Sequence, residues 1–202
     1  MTPLKHLRAC ALALLLAAPL GASAAAITGN TTSVELTAAD ALASLGVAVQ
    51  PVGTASLEAV GPTALFPITG GSVDDGSGAL LVEHEGSGLS LGVGTDNILL
   101  LNFLIDSAAA TIFGDVVVVD DVAGSLTASA LNDVDLFSLD SSLNVFLTAT
   151  AAGALNGLFG TALPAGLKIG EASLDVAVVP LPPAVLLLGS AVAGMAALRR
   201  AA

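Results

Sequence analysis

Leu89-Ser90-Leu91-Gly92-Val93, Gly94-Thr95-Asp96-Asn97, Ile98-Leu99-Leu100-Leu101-Asn102-Phe103-Leu104-Ile105-Asp106 and Thr111-Ile112-Phe113-Gly114-Asp115-Val116-Val117-Val118-Val119 decide the fold class. Each apolar run has strand length, is rich in Val, Ile, Leu and Phe, and is bounded by Gly, Asp or Asn. Alternation in such runs places every second side chain on one face, which is the signature of a half-buried strand. Working outward, Thr32–Leu36, Leu80–His84, Ser125–Val134, Leu143–Leu147 and Lys168–Val176 read the same way. Asp74-Asp75-Gly76 and Gly86-Ser87-Gly88 supply further turn signals. The expectation is a mainly β domain, an antiparallel sandwich or barrel.

Two helical stretches interrupt the strands. Leu36 to Gly46 has a capping residue at Thr37 and a glycine stop at Gly46. Leu147 to Gly160 repeats the plan, each stretch following a strand that ends in Leu-Thr-Ala and preceding a Val/Leu-rich one. An internal strand–helix–strand duplication and simple Ala/Leu-rich usage both account for this. In either case the two helices are expected to cap or plug the same β structure.

Charge separates this middle from the ends. All 17 acids lie between Ile27 and Val179, where Lys168 alone opposes them. That span therefore carries −16, more than the −12 of the whole chain. Such a surface repels phosphate backbones, so no nucleic-acid partner is expected. The span has no Cys, Met, Trp or Tyr and a single histidine, His84. Disulfides, zinc–thiolate sites, iron–sulfur clusters and any site needing two histidines are excluded there.

Residues 1–26 read as a secretory signal peptide. Lys5 and Arg8 form the charged start, Ala9 to Leu20 the apolar run, and Ala22-Ser23-Ala24-Ala25-Ala26 offers small-x-small cleavage sites ending at Ala24 or Ala26. Cys10 stands at the start of the apolar run instead of ending it, so it is not expected to be a lipid-attachment site. The expected partners are the secretion translocon and signal peptidase. Residues 27–179 are then the exported acidic domain. From Val176 to Leu198 no residue is charged, and Arg199-Arg200 follow. A helix over Ala184 to Leu198 would span about 23 Å at 1.5 Å per residue. That is short of a hydrocarbon core of about 30 Å unless the preceding apolar residues are immersed too. Arg199 and Arg200 would stay on the cytoplasmic side.

Val179-Pro180-Leu181-Pro182-Pro183-Ala184, the Leu/Ala/Gly-rich helix and the terminal Arg199-Arg200 resemble the VPLPA variant of the PEP-CTERM sorting signal. The variant usually has Ala where Pro183 stands. The resemblance implies a third segment, 180–202, recognised by an exosortase in the membrane of a Gram-negative bacterium. Delivery to the cell envelope, surface or extracellular matrix would follow. The reading is an exported, non-enzymatic envelope or matrix protein.

Motifs within the domain are weaker. Gly88-Leu89-Ser90-Leu91-Gly92 matches the nucleophile-elbow pattern, but Leu89, Leu91 and Val93 continue a strand, and His84 precedes the serine. No catalytic residue is assigned. Asp74/Asp75, Asp120/Asp121 and Asp133/Asp135 are oxygen-rich candidates for a cation such as Ca²⁺, without EF-hand spacing. His84 lies between Glu83 and Glu85, which favour its charged form, and reads as a surface or rim residue.

A second resemblance concerns Phe66–Asp74, Gly78–Gly86 and Leu101–Asp106. These stretches are similar to the haem-transport-associated (HtaA-type) β domain. It implies a ligand-binding surface module as the alternative function, with His84 as candidate ligand. Members that bind haem use a tyrosine, which this sequence lacks, so no cofactor is expected.

Overall fold

A strand whose two faces differ in polarity buries one of them, and a sheet long enough to curl does so by closing on itself. The computed structural model describes residues 24–94, 96–122 and 125–179, the side chains of 120–128 excepted. Its elements are β1 (Ala24–Glu35), α1 (Ala39–Ser44), β2 (Ala48–Gly53), β3 (Ser56–Leu57), β4 (Thr63–Pro67), β5 (Gly70–Asp74), β6 (Leu80–Val93) and β7 (Asp96–Asp106). They continue with β8 (Thr111–Val122), β9 (Ser125–Leu139), β10 (Asn144–Leu147), α2 (Ala149–Phe159) and β11 (Lys168–Val178). The domain is mainly β with two helices, as its alternation implies. Residues 1–23 and 180–202, which carry most of both sorting readings, lie outside the described residues, as do the side chains of Asp120 and Asp121.

All pairings are antiparallel, and the order β11-β10-β9-β8-β7-β6-β5-β1 returns on itself because β1 also pairs β11. The result is a barrel-like ring, which leaves few strand edges open to water or another chain. Two short strands, β5 and β10, bridge it at one place each. Beyond β5 the wall is completed by β4 on β1 and β2 on β6. Beyond β10, α2 packs on β9. Both helices follow strands that finish at the same end of the ring, and chain segments 24–26 and 178–179 lie at the opposite end.

Several local readings change. Gly86-Ser87-Gly88 is not a turn but a bulge inside one long strand, β6, where the register slips between His84 and Gly88. Before it Val82 and His84 face inward; after it Leu89 and Leu91 do. Three residues of β6, Glu85 to Ser87, lie opposite Asn102 alone, and the odd step from His84 to Leu89 moves the inward set from even to odd numbers. The glycine at 88 is needed because a Cβ there would lie 2.1 Å from the Leu100 carbonyl oxygen. That contact accounts for Gly88 of the Gly-x-Ser-x-Gly pattern, and Ser90 lies within β6 and not on a strand-to-helix turn. The first helix is shorter than its pattern and has Ala38, not Thr37, at its start, with no side-chain cap. Gly46 ends that segment at φ 77. The second helix is capped by Thr148, whose side chain accepts from the Ala151 N–H, and ends at left-handed Gly160. The two strand–helix–strand segments differ in pairing: β10 and β11 are neighbours, whereas β2 joins β6 and not β1. Their likeness therefore stops at local sequence. Strands β2, β4 and β5 had no clear signal, since Pro51, Pro67 and Gly70-Gly71 interrupt their alternation.

Candidate functional site

Alternation along β6 sends Glu83 and Glu85 outward and His84 inward, where its side chain is 1% exposed. The expectation of a surface histidine with a favoured charge is overturned by this parity. His84 Nδ1 lies 3.1 Å from the Phe103 carbonyl oxygen, an acceptor only, so this nitrogen carries the hydrogen and donates. Nε2 then has a free lone pair and accepts from the Thr32 hydroxyl at 2.7 Å. Burial pushes the His84 pKa below its ordinary value, outweighing the Phe103 carbonyl, which acts in the opposite sense. The imidazole is neutral and ties β1, β6 and β7 together. Ser87, fully buried beside it, donates to the His84 carbonyl at 3.0 Å.

Aromatic side chains surround the ring. Phe66 meets His84 edge-on at 6.3 Å and Phe103 edge-on at 5.3 Å. Phe103 in turn lies 6.4 Å from Phe137. Such edge-to-face contacts add to the stabilisation from burial. Beside this cluster the barrel holds an apolar cavity of about 50 Å³. A second, of about 110 Å³, lies under the helices between Leu42, Leu100, Val134, Ala151 and Leu155. The two share Leu36, Leu89, Phe137 and Ile169 as walls. Because His84 and Thr32 turn their polar atoms to each other and to Phe103, the interior offers a guest almost no hydrogen-bonding group. Leu131, 64% exposed, stands at the edge of the larger space, opposite Thr150 and Ala154 of α2.

On the outside, the same bulges create a polar seam. Asn102 has φ 54 and Gly86 φ 71, both left-handed. The Asn102 side chain accepts from the Gly86 N–H at 2.9 Å and donates to Asp115 Oδ2 at 2.7 Å. Asp115 Oδ1 accepts from the N–H of Asp133, itself at φ 54, at 3.2 Å. Four strands are thus stitched across their irregularities. Composition pointed to none of this, although an Asn inside an otherwise apolar strand is the residue that tolerates φ > 0 best after glycine.

Among the described residues the cation candidates are not assembled. Asp74 Oδ1 accepts from the Gly76 N–H, the Ser77 N–H and the Ser77 hydroxyl, which close the β5–β6 turn. Those bonds, the Ser77 side chain first, hold its carboxyl below the ordinary value. Asp133 and Asp135 lie on β9, away from that turn. Among the described residues no three His, Cys, Asp or Glu side chains gather as a metal site. Asp140 is also held low, by the Asn144 side chain and then its N–H, and serves the β9–β10 turn.

No family model matches the chain, and no curated protein sequence does. Two solved structures are similar in fold. One is the heme-binding protein HtaB from Corynebacterium glutamicum, 12% identical, covering 78% of this chain and 96% of that one, with a TM-score of 0.49. The other is the C-terminal domain of HtaA from the same organism, 15% identical, covering 76% and 99%, with a TM-score of 0.49. The likeness is one of backbone path and assigns no ligand to this chain.

Proposed function

We propose that the protein is an exported, non-enzymatic binding module whose barrel interior takes a small apolar molecule. The observation that carries this reading is the pair of adjoining apolar cavities under the helix-capped end, with their one polar pair, His84 and Thr32, bonded internally. Apolar cavities of about 150 Å³ stay dry and admit benzene-sized guests, and the larger space here is of that order. Non-enzymatic behaviour is supported by His84, the single histidine of residues 27–179, which has both nitrogens engaged inside the barrel.

Haem fits the residues poorly. Of its usual protein ligands, His, Tyr, Met and Cys, residues 27–179 supply His84 alone. His84 is enclosed among Phe66, Phe103 and Thr32, and the two apolar cavities inside the barrel, of about 50 and 110 Å³, are far below the ~300 Å³ at which pockets for larger ligands begin. The open hollow outside His84 is lined by Glu83, Glu85, Asp115 and Asp133, which would repel the propionates.

Delivery is proposed to follow the terminal segments: export through the translocon, removal of the signal peptide, retention in the membrane by residues 180–202, and recognition by an exosortase of the Val179–Ala184 motif, with cleavage near Pro180 to Pro182. Support comes from the tripartite order of Pro180-Leu181-Pro182-Pro183, apolar helix and Arg199-Arg200, and from β11 ending at Val178, immediately before the motif.

The binding reading is tested with benzene and hexane as probes on the exported protein. A ligand that binds only the folded state raises the melting temperature with its concentration. The expected result is such a rise, with NMR shifts confined to Leu89, Leu100, Phe137 and Leu155. Saturating probe without either response would overturn it.

A further inference from the structure

We infer that signal peptidase cuts after Ala24 and not after Ala26, because Ala25 and Ala26 belong to the wall of the barrel. This inference rests on the export reading above. The sequence offers two small-x-small sites, Ala22-Ser23-Ala24 and Ala24-Ala25-Ala26, and chooses neither. The fold distinguishes them. Among the described residues, β1 is paired in the ladder with β5 through Ala24 opposite Asp74, Ala25 opposite Val73 and Ala26 opposite Ser72. From Ile27 onward β1 pairs instead with β11, and from Thr31 also with β4. The β1–β5 step that closes the ring therefore consists of those three residues. Ala25 is buried, at 6% exposure, so its methyl is part of the core. Ala26 has a further duty: its carbonyl accepts from the N–H of Val179 at 2.9 Å, the last bond before Pro180.

Hydrolysis of the Ala26–Ile27 bond would remove the whole β1–β5 pairing. β5 would then hang from β6 alone, and the Val179 N–H would lose its acceptor. Hydrolysis of the Ala24–Ala25 bond, with water supplying a carboxylate to Ala24 and an amine to Ala25, leaves two of the three pairs and the Val179 bond in place. Processing site and ring closure are thus the same question. The junction with the C-terminal sorting segment also depends on it, since Ala26 and Val179 are hydrogen-bonded neighbours.

The test expresses the full chain in a Gram-negative host and reads the exported product by intact mass and N-terminal sequencing. A product beginning at Ala25 supports the inference. One beginning at Ile27 overturns it while leaving export intact, and one beginning at Met1 overturns the export reading itself. A second arm forces the later cut with Ala22→Phe, which spoils the first site. The resulting product should melt several degrees lower and exchange the β5 amides faster than wild type. Equal melting and equal exchange would show that the Ala25–Ala26 seam is dispensable and would overturn the structural reason for the choice.

Discussion

The Thr32 hydroxyl on β1 donates to Nε2 of His84 on β6 at 2.7 Å, across 52 residues of sequence, and so fixes the imidazole as its Nδ1–H tautomer. Since Nδ1 faces the Phe103 carbonyl, one ring holds three strands. This arrangement suits only the neutral ring. A proton on Nε2 would force Thr32 to turn its hydroxyl round and would place a charge in an apolar interior.

That makes acid sensitivity the first prediction. The folded pKa of His84 lies below its ordinary 6.5, so the unfolded chain binds the proton more readily. The stabilisation from a neutral His84 is complete above pH 6.5 and is lost as pH falls toward the lowered folded value. Asp74 and Asp140 add a second loss only below their ordinary 3.8. Melting temperature should therefore decline in two stages. In His84→Gln the neutral-pH stability should drop by about 1–3 kcal/mol and the first stage should vanish. A first stage that persists in the variant would assign it to other groups.

The polar seam makes the second prediction. Asn102→Ala removes both side-chain bonds and places a Cβ residue without a local hydrogen bond at φ 54, so a loss of about 2–3 kcal/mol is expected. Asn102→Gly keeps the backbone conformation but not the bonds and should lose less. Denaturant unfolding of both variants separates strain from bonding; identical losses would mean that φ contributes nothing.

At α2 the cap is the third. Thr148 accepts from the Ala151 N–H and donates to the Asp135 carbonyl, joining helix to β9. Thr148→Ala should cost about 1–2 kcal/mol, and Thr148→Ser should recover most of it. Because α2 roofs the larger cavity, faster exchange of the Ala151 and Ala152 amides should accompany the loss.

Charge supplies the fourth. With Lys168 alone opposing 17 acids, and already paired with Glu171 at 2.5 Å, self-repulsion within the domain is screened by any salt. Equal gains in melting temperature are expected in NaCl and in CaCl₂ of matched ionic strength. A gain specific to calcium, abolished by Asp133→Asn, would instead reveal a cation site.

Removing residues 180–202 is the fifth. The ring is complete at Val178, so the truncated chain should be released from the membrane with its β-type circular dichroism unchanged. Aggregation of that product would show that the tail contributes to the fold.

The long hairpins β6–β7 and β7–β8 were legible because each pairs residues close in sequence and has an unbroken apolar alternation on at least one side of its bulge. The candidate site was not. His84 was misjudged because its neighbours Glu83 and Glu85 are adjacent in sequence but, in a strand, point the opposite way. The bulge at Gly86 was misread as a turn since both use left-handed glycine. The shift of inward residues from Val82 and His84 to Leu89 and Leu91 was the available signal for an uninterrupted strand.

Residue order alone determined the class of structure, the acidity of residues 27–179, and their lack of thiols and aromatic hydroxyls. Those follow from local alternation and from counting. Tertiary structure decided which strands close the ring, that His84 is buried and neutral, and that Asn102, Asp115 and Asp133 form one seam. It also decided that Ala25 and Ala26 pair with β5 in the wall of the ring. Each of these depends on partners brought from far along the chain, and on a bulge that changes which side of a strand is the inside.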